Sequence, residues 1–164
     1  MTTTLFTVGE ALAVFLADDP ELSTARRFER ITSGAEVNVA AGFVAAGHRA
    51  RLVSRVGDDA LGVAVERDLR DWGVDVSLTR DVDRHTGVLV RTVGGSDRGN
   101  ALNLRCGAAI EGLHPDDVDH AWVDGIDAVF VSGTTAVRSP SAMAAIERMV
   151  EQATSAGSMV VVDP

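Results

Sequence analysis

The segment Ser33-Gly34-Ala35-Glu36-Val37-Asn38-Val39-Ala40 concentrates residue types that can hold a polar ligand. Small side chains at 33–35 let backbone approach a ligand closely and present N–H groups at the start of a helix. Asn38, one turn in, carries an amide that both donates to and accepts from the hydroxyls of a polyol. The same residues also fit an ordinary loop-to-helix turn with a buried asparagine, because glycine turns are common. Asp58 and Asp59 precede an apolar-periodic run and read as helix-capping carboxylates rather than an acid/base pair. His48, His85, His114 and His120 show no metal-ligand spacing. The lone Cys106 has no base placed beside it and reads as an ordinary thiol.

Composition narrows the chemistry further. The chain has 164 residues, 46% apolar and 24% charged, enough for one compact domain with a hydrophobic core. Its formal net charge of -9 would repel a polyanion, so nucleic acid is excluded as a partner. All 15 basic side chains are arginine, so a P-loop lysine, a protein-kinase strand lysine and a Schiff-base lysine are all excluded. Tyrosine is absent, and the single cysteine cannot form an internal disulfide, in keeping with a reducing cytoplasm. The first residues, MTTTLFTVGEALAVFLADDPEL, contain no basic leader region and no apolar run of membrane length. A soluble, cytoplasmic protein without a membrane partner is the expectation.

The elements that must position these residues follow from periodicity. Leu5 to Val8, Arg51 to Val56, Ala128 to Val131 and Met159 to Val162 read as buried strands. Helices are predicted from Glu36 to Ala46 before Gly47, from an Asp cap at 58 or 59 to about Trp72 before Gly73, and from Ser139 to about Ala156. In the second of these, Leu61, Val65, Leu69 and Trp72 recur at intervals of three and four and give one apolar face. Such alternation predicts an α/β fold with a parallel sheet covered by helices on both faces. Thr86 to Val93 and Arg98 to Arg105 instead read as a β-hairpin turning at Gly94-Gly95-Ser96-Asp97. With Leu12 to Leu16 and Phe28 to Thr32, that hairpin is expected to form a small second sheet beside the main layer. No Gly-x-Gly-x-x-Gly follows the first strand, which counts against a dinucleotide-binding domain.

The order Gly34-Ala35-x-x-Asn38-x-Ala40, then Gly47, then Arg55-Val56-Gly57-Asp58-Asp59-x-x-Gly62 resembles the first signature of ribokinase-type, PfkB-family carbohydrate kinases. Ser33 departs from the usual Gly or Ala there but is also small. Gly9-Glu10, Gly73-Val74, Thr86-Gly87 and Ser132-Gly133 also follow the family's order, so the resemblance runs along the whole chain. It implies a ribokinase-like three-layer α/β sandwich, represented by its N-terminal portion. A β-sheet lid built from segments at approximately 11–32 and 86–106 would close over a small-molecule sugar and could form a homodimer interface. Gly34, Ala35 and Asn38 would line the sugar pocket.

The position where many ribose and fructose kinases carry an Asp is Val14 here, and Gly9-Glu10 is similar to the start of 2-keto-3-deoxygluconate kinases. Arg105-Cys106-Gly107-Ala108-Ala109 resembles the end of their lid. Arg105 would then suit the carboxylate of a sugar acid, through its planar fork; a solvated lid arginine is the other reading. Leu89 and Leu102-Asn103-Leu104 stand where that branch often has pocket tyrosines, and leucine offers no hydroxyl. The family implies ATP and Mg²⁺ as cosubstrate and cofactor. Its Gly-Ala-Gly-Asp segment, which carries the catalytic base and anion hole, is not found in this sequence. These residues are therefore expected to be a truncated kinase without nucleotide site, metal ligand or catalytic residue, inactive alone. A non-catalytic sugar-binding or oligomerising fragment is the alternative.

Overall fold

The computed structural model describes residues 2–93 and 101–164. In chain order its elements are β1 (Thr4–Val8), β2 (Leu12–Ala17), β3 (Phe28–Ser33), α1 (Ala35–Ala45), β4 (Arg49–Gly57), α2 (Ala60–Asp71) and β5 (Asp75–Asp81). There follow β6 (Val88–Thr92), β7 (Ala101–Leu104), a 3₁₀ turn (Ala109–Gly112), α3 (Pro115–Ala121), β8 (Ala128–Ser132), the short α4 (Gly133–Ala136), α5 (Pro140–Ala156) and β9 (Met159–Asp163).

Five strands make a parallel sheet in the order β5-β4-β1-β8-β9. A central parallel strand is buried on both faces, so successive side chains must all be acceptable to a core. β1 shows this: Leu5 packs with Val37, Ala40, Val65 and Leu69 of α1 and α2, while Phe6 packs with Val118, Ala121 and Met149 of α3 and α5. The Phe6 ring meets Trp122 at a centroid distance of 5.0 Å. The result is a helix–sheet–helix sandwich of three layers. β9 is the exception, with Met159 to Val162 all exposed at the sheet edge.

A second sheet, in the order β3-β2-β6-β7, stands beside this sandwich. β2 pairs antiparallel with β3 and parallel with β6, and β6 pairs antiparallel with β7. The expected turn at Gly94-Gly95-Ser96-Asp97 lies outside the described residues. Asp68 of α2 anchors the sheet, accepting from Arg30 Nη1 and from the Thr32 hydroxyl, each at 2.7 Å. These donors, Arg30 foremost, hold the Asp68 carboxyl below its ordinary range. β5 and α3 were not foreseen. β5 is an edge strand whose apolar Val76 and Leu78 are set among Asp, Ser, Thr and Arg, so its period is weak. α3 is a seven-residue helix started by Pro115 and too short for a periodic signal.

Of the two carboxylates expected to cap this helix, Asp59 is the one that caps α2, accepting from Gly62 N–H at 2.7 Å, and it does more. It also accepts from the backbone N–H and the hydroxyl of Thr86, each at 2.8 Å, fastening the start of the β6 arm to the main layer. Burial would raise its carboxyl, but these donors outweigh it and hold it below the ordinary value. Asp59→Ala is expected to cost about 2 kcal/mol, the upper end for loss of a helix cap. Urea denaturation checks this, with Asp58→Ala as the control.

Candidate functional site

Strand order decides where a ligand can sit. From β1 the chain proceeds to β4 and β5 on one side, and only then places β8 on the other. The connections leaving the C-terminal ends of β1 and β8 therefore diverge, and in open α/β sheets the crevice at such a switch point is where ligands bind. Gly9 and Glu10 follow β1; Gly133 to Arg138 follow β8. A hollow of about 520 Å³ bounded by Thr4, Arg49, Asp75 and Val123 lies at the opposite ends of the strands and is not at this crevice.

The start of α1 is pressed into the crevice, Gly34 against the Glu10 backbone and the Glu36 side chain against Gly9. A Cβ on Gly34 would stand 2.1 Å from the Glu10 carbonyl oxygen, and one on Gly9 would stand 2.0 Å from Glu36 Cδ. Gly34 thus requires glycine both by close approach and by its positive φ of 158°, and Gly9 leaves room for the Glu36 side chain. Gly34 provides no side-chain cap, so α1 opens with backbone N–H groups toward the crevice. Ala35 is the first residue of the helix and half-buried.

Arg105 reaches the same place from beyond β7. Its Nε donates to Glu10 Oε2 at 2.8 Å and its Nη2 donates to the same oxygen. Glu10 is 3% exposed, and its other oxygen, Oε1, has no partner among the described residues. Two of the predicted site residues, Gly34 and Arg105, are therefore brought together through Glu10. Asn38 is not in this cluster: it is exposed one turn further along α1, where the Ser33 hydroxyl donates to its Oδ1 at 3.2 Å. Val14 is buried, with no polar atom to offer.

Two further charged residues belong to the site. Glu36 is 1% exposed, and burial pushes its carboxyl up to about 7. The Thr135 hydroxyl and its own N–H pull the other way, Glu10 adds to the rise, and Arg105 opposes it. Arg138 donates from Nη2 to the Arg105 carbonyl oxygen and, at 3.2 Å, to Glu111 Oε1. Arg105, Arg138, Glu111, Asn103 and Cys106 bound an open hollow of about 400 Å³. Glu36 is the sole charged residue of α1, a signal that does not by itself tell a buried carboxylate from an exposed one. Arg138 gives no local signal, because only the fold brings it to Arg105.

Chemically, the arrangement offers backbone N–H donors, a positioned guanidinium and buried carboxylates around a crevice. Such a set can bind and orient a polar small molecule. Among the described residues no group of three His, Cys, Asp or Glu side chains is placed to hold a metal ion, and no helix is long and apolar enough to cross a membrane.

Known proteins share this organisation. The family model described as pfkB family carbohydrate kinase matches residues 2–164. The chain is 34% identical over 153 residues to a 2-dehydro-3-deoxygluconokinase of Thermoproteus tenax, covering 91% of this chain and 47% of that protein. It is 31% identical over 165 residues to a 2-dehydro-3-deoxygalactonokinase of Haloferax volcanii, covering 99% and 52%. The solved structure of 2-dehydro-3-deoxygluconokinase from Thermotoga maritima superposes with a TM-score of 0.88 at 25% identity, over 98% of this chain and 50% of that one. The chain spans about half the length of the curated relatives it matches.

Proposed function

The chain belongs to the pfkB family of carbohydrate kinases, and from that premise we propose that its residues form the acceptor side of a sugar-acid kinase. The reaction is transfer of a phosphoryl group from ATP to a hydroxyl of a 2-keto-3-deoxygluconate-like acid. The observation that carries this reading is the placing of Arg105. Its Nε and Nη2 are engaged by Glu10, so the guanidinium is held side-on; its Nη1, without a hydrogen bond among the described residues, is assigned to a carboxylate. The relatives' names, one a gluconate and one a galactonate derivative, agree with an acidic acceptor.

Gly34 and Ala35 present the α1 backbone to the sugar, and the exposed amide of Asn38 meets a hydroxyl further out. The β2–β3 and β6–β7 sheet acts as a lid: its closure over the acceptor excludes water and so favours transfer to the sugar over hydrolysis. ATP and Mg²⁺ supply the phosphoryl group and neutralise its charge. We assign none of the described residues to that pair. What this chain contributes is binding, orienting and shielding of the acceptor. Phe28 and Leu102, 43% and 51% exposed on the edge strands of the lid sheet, are the surface for a homodimer.

Calorimetric titration of the 164-residue chain with 2-keto-3-deoxygluconate, D-gluconate and the neutral polyol D-glucitol tests the reading. The acids should bind and glucitol should bind less tightly; equal or undetectable binding of all three would refute it. Asn38→Ala should weaken acid and polyol alike by about 1.5 kcal/mol, the loss of one hydrogen-bonding partner. Its far-UV circular dichroism should not change, because Asn38 is exposed.

A further inference from the structure

Three atoms without partners gather at the crevice. Of the six buried side-chain nitrogens and oxygens that lack a hydrogen bond among the described residues, three, Glu10 Oε1, Glu36 Oε1 and Arg138 Nε, belong to this one cluster. Buried polar groups are almost always satisfied, so such a concentration marks a place where something else completes the bonding. The donor among them is informative about what that is. Arg138 Nε stands 4.0 Å from Glu10 Oε2, the oxygen that Arg105 occupies, and is too far to bond it well. Arg138 itself is held firmly, through Nη2, by the Arg105 carbonyl and by Glu111. Its side chain is 19% exposed and that of Arg105 is 25% exposed, both on the hollow they share with Glu111.

Two guanidinium groups so placed are converging cations, and Glu10 is the carboxylate that keeps them from repelling each other apart. A desolvated N–H with no acceptor gains more from a charged oxygen than from a hydroxyl. Glu111 grips Arg138 through a single oxygen and is part-exposed, so it can swing to solvent as an anion enters. The arrangement therefore favours an acid over the corresponding neutral sugar by way of a residue outside the signature segments.

We propose that Arg138 is a second specificity-determining residue of the acceptor site, donating from Nε to the carboxylate of the sugar acid, with Glu10 positioning both guanidinium groups. The proposal rests on the sugar-acid reading above and adds the residue that enforces it.

The test compares the wild-type chain with Arg138→Gln by calorimetry, using D-gluconate and D-glucitol, which differ only at C1. Arg138→Gln should bind gluconate about tenfold more weakly, as expected for one charge-assisted hydrogen bond, with glucitol affinity unchanged. A folded Arg138→Gln that keeps the full preference for gluconate overturns the role of Arg138 and leaves the sugar-acid reading standing. A wild-type chain that does not prefer gluconate overturns both. Should Arg138→Gln not fold, the wild-type chain still decides. Its Arg138 Nε–H resonance should shift on adding gluconate and not glucitol, and an unmoved resonance in gluconate-saturated protein overturns the proposal.

Discussion

Arg105→Met should destabilise the chain by about 3 kcal/mol at neutral pH, the cost of removing one partner from a buried ion pair. Glu10 is 3% exposed and its Oε2 takes both bonds from Arg105. Without that guanidinium the carboxylate is left in the interior with Arg138 at 4.0 Å as its remaining cation. Arg138 softens the loss but cannot replace two short bonds. Glu10→Leu combined with Arg105→Met removes the charge together with its partner, and should recover most of the lost stability, since apolar replacements of buried pairs are often neutral. The two-variant cycle separates structure from recognition. Both the single and the double variant should lose preference for a sugar acid, while only the single variant unfolds early in urea. A double variant as unstable as Arg105→Met would show that Arg105 matters for packing and not as a counter-charge.

That experiment bears on what could be read from residue order. The core strands were legible because a strand covered on both faces must be largely apolar, as Leu5 to Val8 (Thr7 excepted) and Ala128 to Val131 are. The cap at Asp59 was legible because capping is local. Gly34 and Arg105 stood out through family resemblance, and their meeting through Glu10 depends on a contact between residues 95 positions apart, Glu10 and Arg105, that no local pattern encodes. The role of Glu36 was hidden for another reason. Its signature is burial, and a carboxylate written once in a run of Ala and Val looks the same whether it faces solvent or core. Arg138 was hidden most completely, because it lies after a four-residue helix on the far side of the switch point.

Glu36 also sets the expected response to pH. Its folded-state carboxyl titrates at about 7 against an ordinary 4.5, so between those values the folded chain holds a proton that the unfolded chain has released. Stability must then fall as pH rises through that window, by about 3 kcal/mol in all from about 1.4 kcal/mol per pH unit. Asp59, Asp68 and Asp117 act in the opposite sense: each is held below its ordinary 3.8 by its donors, and its contribution is lost as pH falls through the acid range. Together they place maximal stability near pH 5, with loss on both sides. Glu36→Gln keeps the shape and cannot ionise, so it should abolish the alkaline loss and leave the acid limb intact. At pH 8 the variant should be the more stable protein by about 3 kcal/mol. Denaturation midpoints from pH 4 to pH 9 measure this directly, and parallel wild-type and variant curves would refute a buried, proton-holding Glu36. The same ionisation places a negative charge beside Glu10 and Arg105, so gluconate affinity in the wild-type chain should weaken above pH 7 and in Glu36→Gln should not.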